Sequence, residues 1–280
     1  MLYISRHMSI SKGIKNTILN TIQNKLMTCQ IFIGNSRGAG FSKLTNIEKN
    51  EIKDLVTTKK FKLMCHLKYL YNLSKEFDTK AWHIRTILQE LKLADEIGAL
   101  IGVVHMGKAV LLDKKTATKN FIIAVKYICK FLEDNKMTIK LGLETSVSAG
   151  TELFGNKEDY CKMFNAFTNK EKKHLSVVID TAHIFSSGEN LNKEDNKYLP
   201  YIKKNIGLKY IGLIHLNNSK VPCGKKVDRH AILNDKMAYI EYKILLKWCK
   251  FGVDNNIPVI LETPESTLDT PIKLVKYFSK

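Results

Sequence analysis

The chain contains no run of about 18 uninterrupted apolar residues, which excludes a membrane-spanning helix, and residues 1–25 lack the apolar core of a signal peptide. A soluble, intracellular protein is expected. Proline is scarce, at five residues, and no Pro/Gly/Ser-rich linker or low-complexity tract divides the 280 residues. Cysteines never sit close together: the nearest pair, Cys223 and Cys249, is 26 residues apart. That excludes a CxxC zinc knuckle or redox pair and leaves six buried free thiols as the expectation. Arginine is also rare, only Arg6, Arg37, Arg85 and Arg229 among 45 basic residues, and acids number 27. The resulting charge of +18 is spread along the chain as single and paired lysines, which predicts a polyanionic partner. A lysine excess over arginine is also what an AT-rich coding sequence produces.

What is present is a repeating alternation of strand-like and helical segments. Short apolar, β-rich runs fall at 2–4, 29–33, 61–65, 99–104, 139–143, 175–179, 210–214 and 258–261. Between them lie stretches of helical period, for example 14–26, 81–97, 116–132 and 239–249. Eight strand-then-helix units predict a parallel sheet closed into a (β/α)₈ TIM barrel, a single domain over residues 1–280. An open doubly wound sheet is the alternative.

Six consecutive runs end on a metal-ligand residue type. His66 closes LMCH, His105 GVVH, Glu144 LGLE, Asp180 VVID, His215 GLIH and Glu262 VILE. The C-terminal ends of barrel strands converge at the mouth where active sites of this fold are built. Three further ligand types follow in the loops: His183 in DTAH, and Asp228 and His230 in VDRH. His7, at the end of the first strand, faces the same rim and is expected to contact the substrate or to support a ligand. A lone histidine or acid at a strand end is ordinarily a hydrogen-bonded loop anchor. Nine at one rim point to metal instead.

Imidazole and carboxylate without thiolate suit Zn²⁺ and also admit Mn²⁺ or Fe²⁺. Nine ligands exceed the needs of one tetrahedral ion, so two or three ions are expected. The four carboxylates Glu144, Asp180, Asp228 and Glu262 would repel one another when empty, whereas three divalent ions would leave about +2. A site of that sign suits a phosphodiester.

Several stretches resemble the endonuclease IV family of apurinic/apyrimidinic endonucleases: HLKYLYNL (66–73), LETSVSAGT (143–151), VIDTAHIFSSG (178–188), HLNNSKVPCGKKVDRH (215–230) and LETP (261–264). They stand in family order over nearly the whole chain. The resemblance implies a barrel with three Zn²⁺ ions that cuts double-stranded DNA 5′ to an abasic site, leaving a 3′-hydroxyl. It assigns His66, His105 and Glu144 to one ion, and Glu144 as a bridge to a second held by Asp180, His215 and Glu262. His183, Asp228 and His230 take the third. Hydroxide between the first two would attack phosphorus. The resemblance further implies that Arg37, Tyr69 and Leu70 fill the gap left by a flipped nucleotide. Lys220, Lys225, Lys226 and Arg229 flank the ligands on one loop, which points to phosphate contact over simple solvation. The substrate that His7 is expected to contact is then DNA. Met106-Gly107 stands where the family has Pro-Gly, Ser5 and Lys12 where it has glycines near His7, and Ser146, Val147 and Ser148 in a block that usually contains glycine. None of these departures removes a ligand, and a monomer is expected. Two rivals remain: a sugar isomerase or epimerase on the same barrel, which needs only one or two ions, and a basic DNA-binding protein whose metal cluster is structural.

Overall fold

The computed structural model describes residues 1–35, 38, 40–265 and 267–280. Arg37 lies outside the described residues. The strands are β1 (Ile4–Met8), β2 (Thr28–Phe32), β3 (Lys62–His66), β4 (Ile101–Val104), β5 (Lys140–Glu144), β6 (Leu175–Asp180), β7 (Ile211–His215), β8 (Asn218–Ser219), β9 (His230–Ala231) and β10 (Val259–Leu261). The helices are α1 (Ile14–Gln23), α2 (Asn46–Thr58), α3 (Trp82–Glu96), α4 (Lys114–Asp134), α5 (Lys157–Asn165), α6 (Thr181–Ser187), α7 (Tyr198–Asn205), α8 (Tyr242–Asp254) and α9 (Asp269–Phe278).

Eight strands close in the order β1-β10-β7-β6-β5-β4-β3-β2. Closure comes at β1, which pairs in parallel with β10 through Ile4 opposite Val259 and with β2 through His7 opposite Gln30. The expected (β/α)₈ barrel is what the chain forms, and the open sheet is excluded.

Two apolar layers follow from strand alternation, since successive side chains point to opposite faces. The larger layer packs strands against helices and includes Ile31, Leu63, Leu141, Val177, Phe121 and Leu245. The smaller fills the barrel: Met64, Ile101, Val103, Val178, Leu213 and Ile260. Five of the six thiols are buried and Cys223 is half-buried, all of them free.

Two expectations need correction, and one element was not foreseen. The first strand is Ile4–Met8, not 2–4, because its polar ISRHM sequence serves a barrel whose upper interior is a polar site and gives no apolar signal. The helix expected over 239–249 runs Tyr242–Asp254. Its predicted first residues are instead drawn onto the hairpin, with Tyr239 N–H donating to Ser219 O and Ile240 N–H to Asn218 Oδ1, both at 2.9 Å. The hairpin β8–β9, which brings His230 back opposite Ser219, is built of strands only two residues long and leaves no periodic trace in the sequence.

Candidate metal centre

Two residues before each strand-end ligand stands a residue of the barrel interior. The pairs are Met64 and His66, Val103 and His105, Gly142 and Glu144, Val178 and Asp180, Leu213 and His215, Ile260 and Glu262. Strand periodicity therefore aims all six ligands inward, one layer above the apolar plug. Gly142 completes the layer by having no side chain, since a Cβ there would stand 2.6 Å from Ile101 Cγ2 and 2.8 Å from Val178 Cγ2. His183 arrives from the first turn of α6, whose N-cap Asp180 accepts its N–H at 2.9 Å. Asp228 comes from the hairpin loop and His230 from the first position of β9.

Three groups of ligand atoms result, each within 4.8 Å among themselves: His66, His105 and Glu144; Glu144, Asp180, His215 and Glu262; and Asp180, His183 and His230. Glu144 belongs to two groups and Asp180 to two, so the site is one cluster with shared carboxylates. Asp228 completes the third corner, with Oδ2 at 3.5 Å from His183 Nε2 and Oδ1 at 3.2 Å from His230 Nε2.

Outer contacts determine which ring nitrogen faces the centre. His66 Nδ1 is 2.7 Å from Leu67 O, His183 Nδ1 2.8 Å from Thr145 O, and His230 Nδ1 3.2 Å from Glu262 O. Each of these Nδ1 atoms donates to a carbonyl, which leaves Nε2 as a lone pair aimed inward. His215 is reversed: Nε2 donates to Gln30 Oε1 at 2.9 Å, so Nδ1 faces Glu144 and Glu262. The carboxylates are held likewise, Asp180 Oδ2 by Asn217 Nδ2 at 2.6 Å and Glu262 Oε1 by Gln30 Nε2 at 2.5 Å.

The atoms left over point to the group that belongs there. Glu144 Oε2, His183 Nε2 and His230 Nε2 are buried without a hydrogen-bond partner, a state that costs about 1–3 kcal/mol per neutral group and more for a charge. All three face the cluster. Divalent ions with nitrogen and oxygen ligands would satisfy them, so the residues fit the metal the donor set implies.

Without ions, protons hold the cluster together. Burial would lower the His215 imidazole, but Glu262 and Glu144 outweigh it and lift the group to about 9. Burial is likewise overcome at His230, where Asp180 and Asp228 lift the imidazole to about 9. Glu144 is held well below the usual carboxylate range: burial would raise it, and His215 and His105 prevail. Because His215 and His230 are raised in the folded state, their contribution to stability is complete below about pH 6.5. It is lost as pH rises through about 9. Chelated protein should therefore lose roughly 5 °C or more of Tm between those values. Ion-loaded protein should not, because the metal replaces the proton. A flat Tm for the chelated protein over that range would disprove the coupling.

Above the cluster opens a cavity of about 810 Å³, lined by Tyr69, Leu70, Asn72, His105, Met106, Lys108, Lys226, Asp228, Arg229 and His230 among others. Of the residues expected at the rim, Tyr69, Leu70, Lys226 and Arg229 line this cavity, and Lys220 and Lys225 are exposed outside it. Tyr69 stands 5.1 Å from the His66 ring and 5.3 Å from that of His105. His7 packs 4.4 Å from Phe32 and 3.7 Å from Glu262 Oε1, and lines a neighbouring cavity of about 500 Å³ with Ser9 and Lys12. Met106 is buried and lines the main cavity. The glycine after it remains necessary, since a Cβ at Gly107 would collide with Ser74 Oγ.

Gln30, Thr145 and Asn217 hold ligands in place, and sequence reasoning missed them. Gln30 is an amide inside a buried strand, and Thr145 and Asn217 stand just past the ends of β5 and β7, where a backbone carbonyl or an amide gives no metal signal. Asn217 lies within the HLNNSK block, so its position two residues after His215 was the available clue.

Histidines and carboxylates at the mouth of a parallel eight-stranded barrel define a class, and residues 26–275 match the family model described as xylose isomerase-like TIM barrel. The "Probable endonuclease 4" of Persephonella marina is 30% identical over 278 residues, covering 98% of this chain and 94% of that one. The protein of the same name from Clostridium botulinum (strain Alaska E43) is 31% identical, covering 94% of this chain and 93% of its own. The chain belongs to the endonuclease 4 family within that barrel class. The crystal structure of endonuclease IV from Thermus thermophilus shares the fold at a TM-score of 0.79 and 20% identity, over 99% of this chain and 97% of that one. No helix among the described residues is long and apolar enough to cross a membrane.

Proposed function

We propose that the protein is a zinc-dependent apurinic/apyrimidinic endonuclease that holds three ions and hydrolyses the phosphodiester 5′ to an abasic site in duplex DNA, leaving a 3′-hydroxyl. The observation that carries this reading is the sharing of Glu144 and Asp180 among three ligand groups beneath a cavity with basic and aromatic walls. When bound, such ions make water nucleophilic at neutral pH and stabilise charge on a phosphoryl group. His66, His105 and Glu144 would hold one; Glu144, Asp180, His215 and Glu262 the second; Asp180, His183, Asp228 and His230 the third.

The chain's own groups do the rest. Lys226 and Arg229, on the cavity wall beside Asp228 and His230, would take phosphate oxygens. Lys220 and Lys225, on the same loop, would add phosphate contacts, and His7 would support the first loop against the backbone. Tyr69 and Leu70, 48% and 47% exposed at the cavity edge, would enter the stack when the abasic nucleotide turns out, and Arg37, outside the described residues, would assist them.

The test joins metal content with incision of a duplex carrying one tetrahydrofuran abasic analogue. About three zinc ions per chain and cutting that ceases with chelator are expected. One or two ions with aldose–ketose conversion and no cutting would overturn the proposal in favour of a sugar isomerase. Binding without chelator-sensitive cutting would leave a structural cluster. Affinity should also fall steeply with salt, by a log–log slope of about −0.9 for each phosphate neutralised.

A further inference from the structure

The loop from β4 to α4 carries a turn that the metal cluster does not use. Leu112 N–H donates to Ala109 O at 2.9 Å, closing a tight turn, and Val110 within it has φ 56°. A β-branched residue in the left-handed region is a true outlier, held against its backbone preference. The same turn leaves Val110 59%, Leu111 97% and Leu112 39% exposed. Leu111 is the most exposed large apolar side chain among the described residues. Backbone preference and the hydrophobic effect both oppose this arrangement.

The turn is nevertheless firmly held. Asn72 accepts the Lys108 N–H and donates to Lys108 O, both at 2.9 Å. Ala109 and Val110 N–H donate to Thr151 O and Oγ1, again at 2.9 Å. Asp113 then caps α4 by accepting Thr116 N–H at 2.9 Å. Asn72 lies on the loop that carries Tyr69 and Leu70, and Asn72 and Lys108 both line the main cavity. The apolar tip is thus a rigid extension of that cavity's edge.

We propose that Val110 and Leu111 form an apolar wedge that presses on base faces of a bound duplex beside the cavity, a second point of insertion next to Tyr69 and Leu70. This rests on the nuclease reading above. The chemistry fits a nucleic acid. Lysines flank the tip at 108, 114 and 115; Lys108 and Lys114 are already paired with Glu152 and Asp159, and Lys115 is exposed on the first turn of α4. An uncharged apolar point beside the exposed Lys115, continuous with the edge of the cavity proposed to take DNA, is what a bent duplex accepts: a phosphate at the side and an unstacked step at the centre.

The experiment measures equilibrium binding and incision of the tetrahydrofuran duplex at several salt concentrations for wild type, Leu111→Ser and Val110→Asn, with sedimentation velocity on each. Asparagine tolerates positive φ, so Val110→Asn keeps the turn while removing its apolar branch. Leu111→Ser should weaken duplex binding about tenfold, in the range of a lost base contact, with an unchanged salt slope because no phosphate contact is lost. Val110→Asn should weaken it several-fold. Duplex affinity within twofold of wild type for both variants would overturn the wedge. So would a wild-type dimer that Leu111→Ser dissociates without change in DNA affinity, which would make the tip a self-interface. Binding is read separately from cutting. A wild type that binds through Leu111 but does not cut would overturn the nuclease reading alone, and full affinity with normal cutting in both variants would overturn the wedge alone.

Discussion

Glu144→Gln is expected to abolish the metal centre, lowering incision by roughly three orders of magnitude or more, the scale on which removal of an essential catalytic group acts. Glu144 is 1% exposed at the end of β5 and is the carboxylate shared by the first two ligand groups. Oε1 lies 2.6 Å from His215 Nδ1 and 3.7 Å from His183 Nδ1, while Oε2 lies 3.2 Å from His105 Nε2 and 3.6 Å from His66 Nε2. Glutamine keeps the size but loses the charge and puts an N–H₂ donor where a ligand oxygen must be. At least one ion per chain should be lost by elemental analysis. Retention of full zinc content and near-normal cutting would disprove the bridging role. Stability alone cannot explain the expected result if the variant's Tm in chelator stays close to wild type's.

Gln30→Ala is the second large effect, and it acts without touching any ion. The Gln30 amide lies beneath the cluster with three contacts: Oε1 on His215 Nε2 at 2.9 Å, Nε2 on Glu262 Oε1 at 2.5 Å, and Nε2 on His7 Nδ1 at 3.1 Å. Removing it frees the His215 ring to rotate or change tautomer and leaves the buried Nε2 unsatisfied. Loss of such an outer contact typically costs about 10–100-fold in metal affinity or activity, so a shift of about that size toward higher zinc requirement is expected. Saturating zinc should restore much of the rate, which separates a positioning role from a catalytic one. A variant whose activity falls equally at all zinc concentrations would contradict the assignment.

The candidate ligand set was legible in the linear chain because it obeys a rule of period two. An apolar strand in a barrel must end at the mouth, and a His, Asp or Glu at its last inward position can only face the centre. His66, Glu144, Asp180 and His215 are strand-terminal residues in the fold, with His105 and Glu262 one position beyond. Eight strand-and-helix units likewise implied closure. The motif blocks then indicated how the candidate ligands would divide; the geometric groups match for the first two sets, while in the third Asp180 stands with His183 and His230 where the motifs put Asp228.

Other features came only from tertiary structure, because the residues that create them have no distinctive pattern. Gln30 is an amide inside a buried strand, and nothing in TCQIF says that His215 will stand against it. The first strand escapes an apolar count for a related reason: Ser5 and His7, which alternate inward against the outward Ile4, are polar because the upper barrel interior is polar. Arg6 is buried and donates to Thr263 O and Thr267 O, tying β1 to the segment after Glu262 across most of the chain length. The exposed tip at Val110–Leu112 reads in sequence as one more apolar run. Its meaning depends on a backbone angle and on hydrogen bonds to Asn72 and Thr151. Periodicity is a local property and survives in the sequence; partners brought together by closing a barrel are not local, and only the closed barrel decides them.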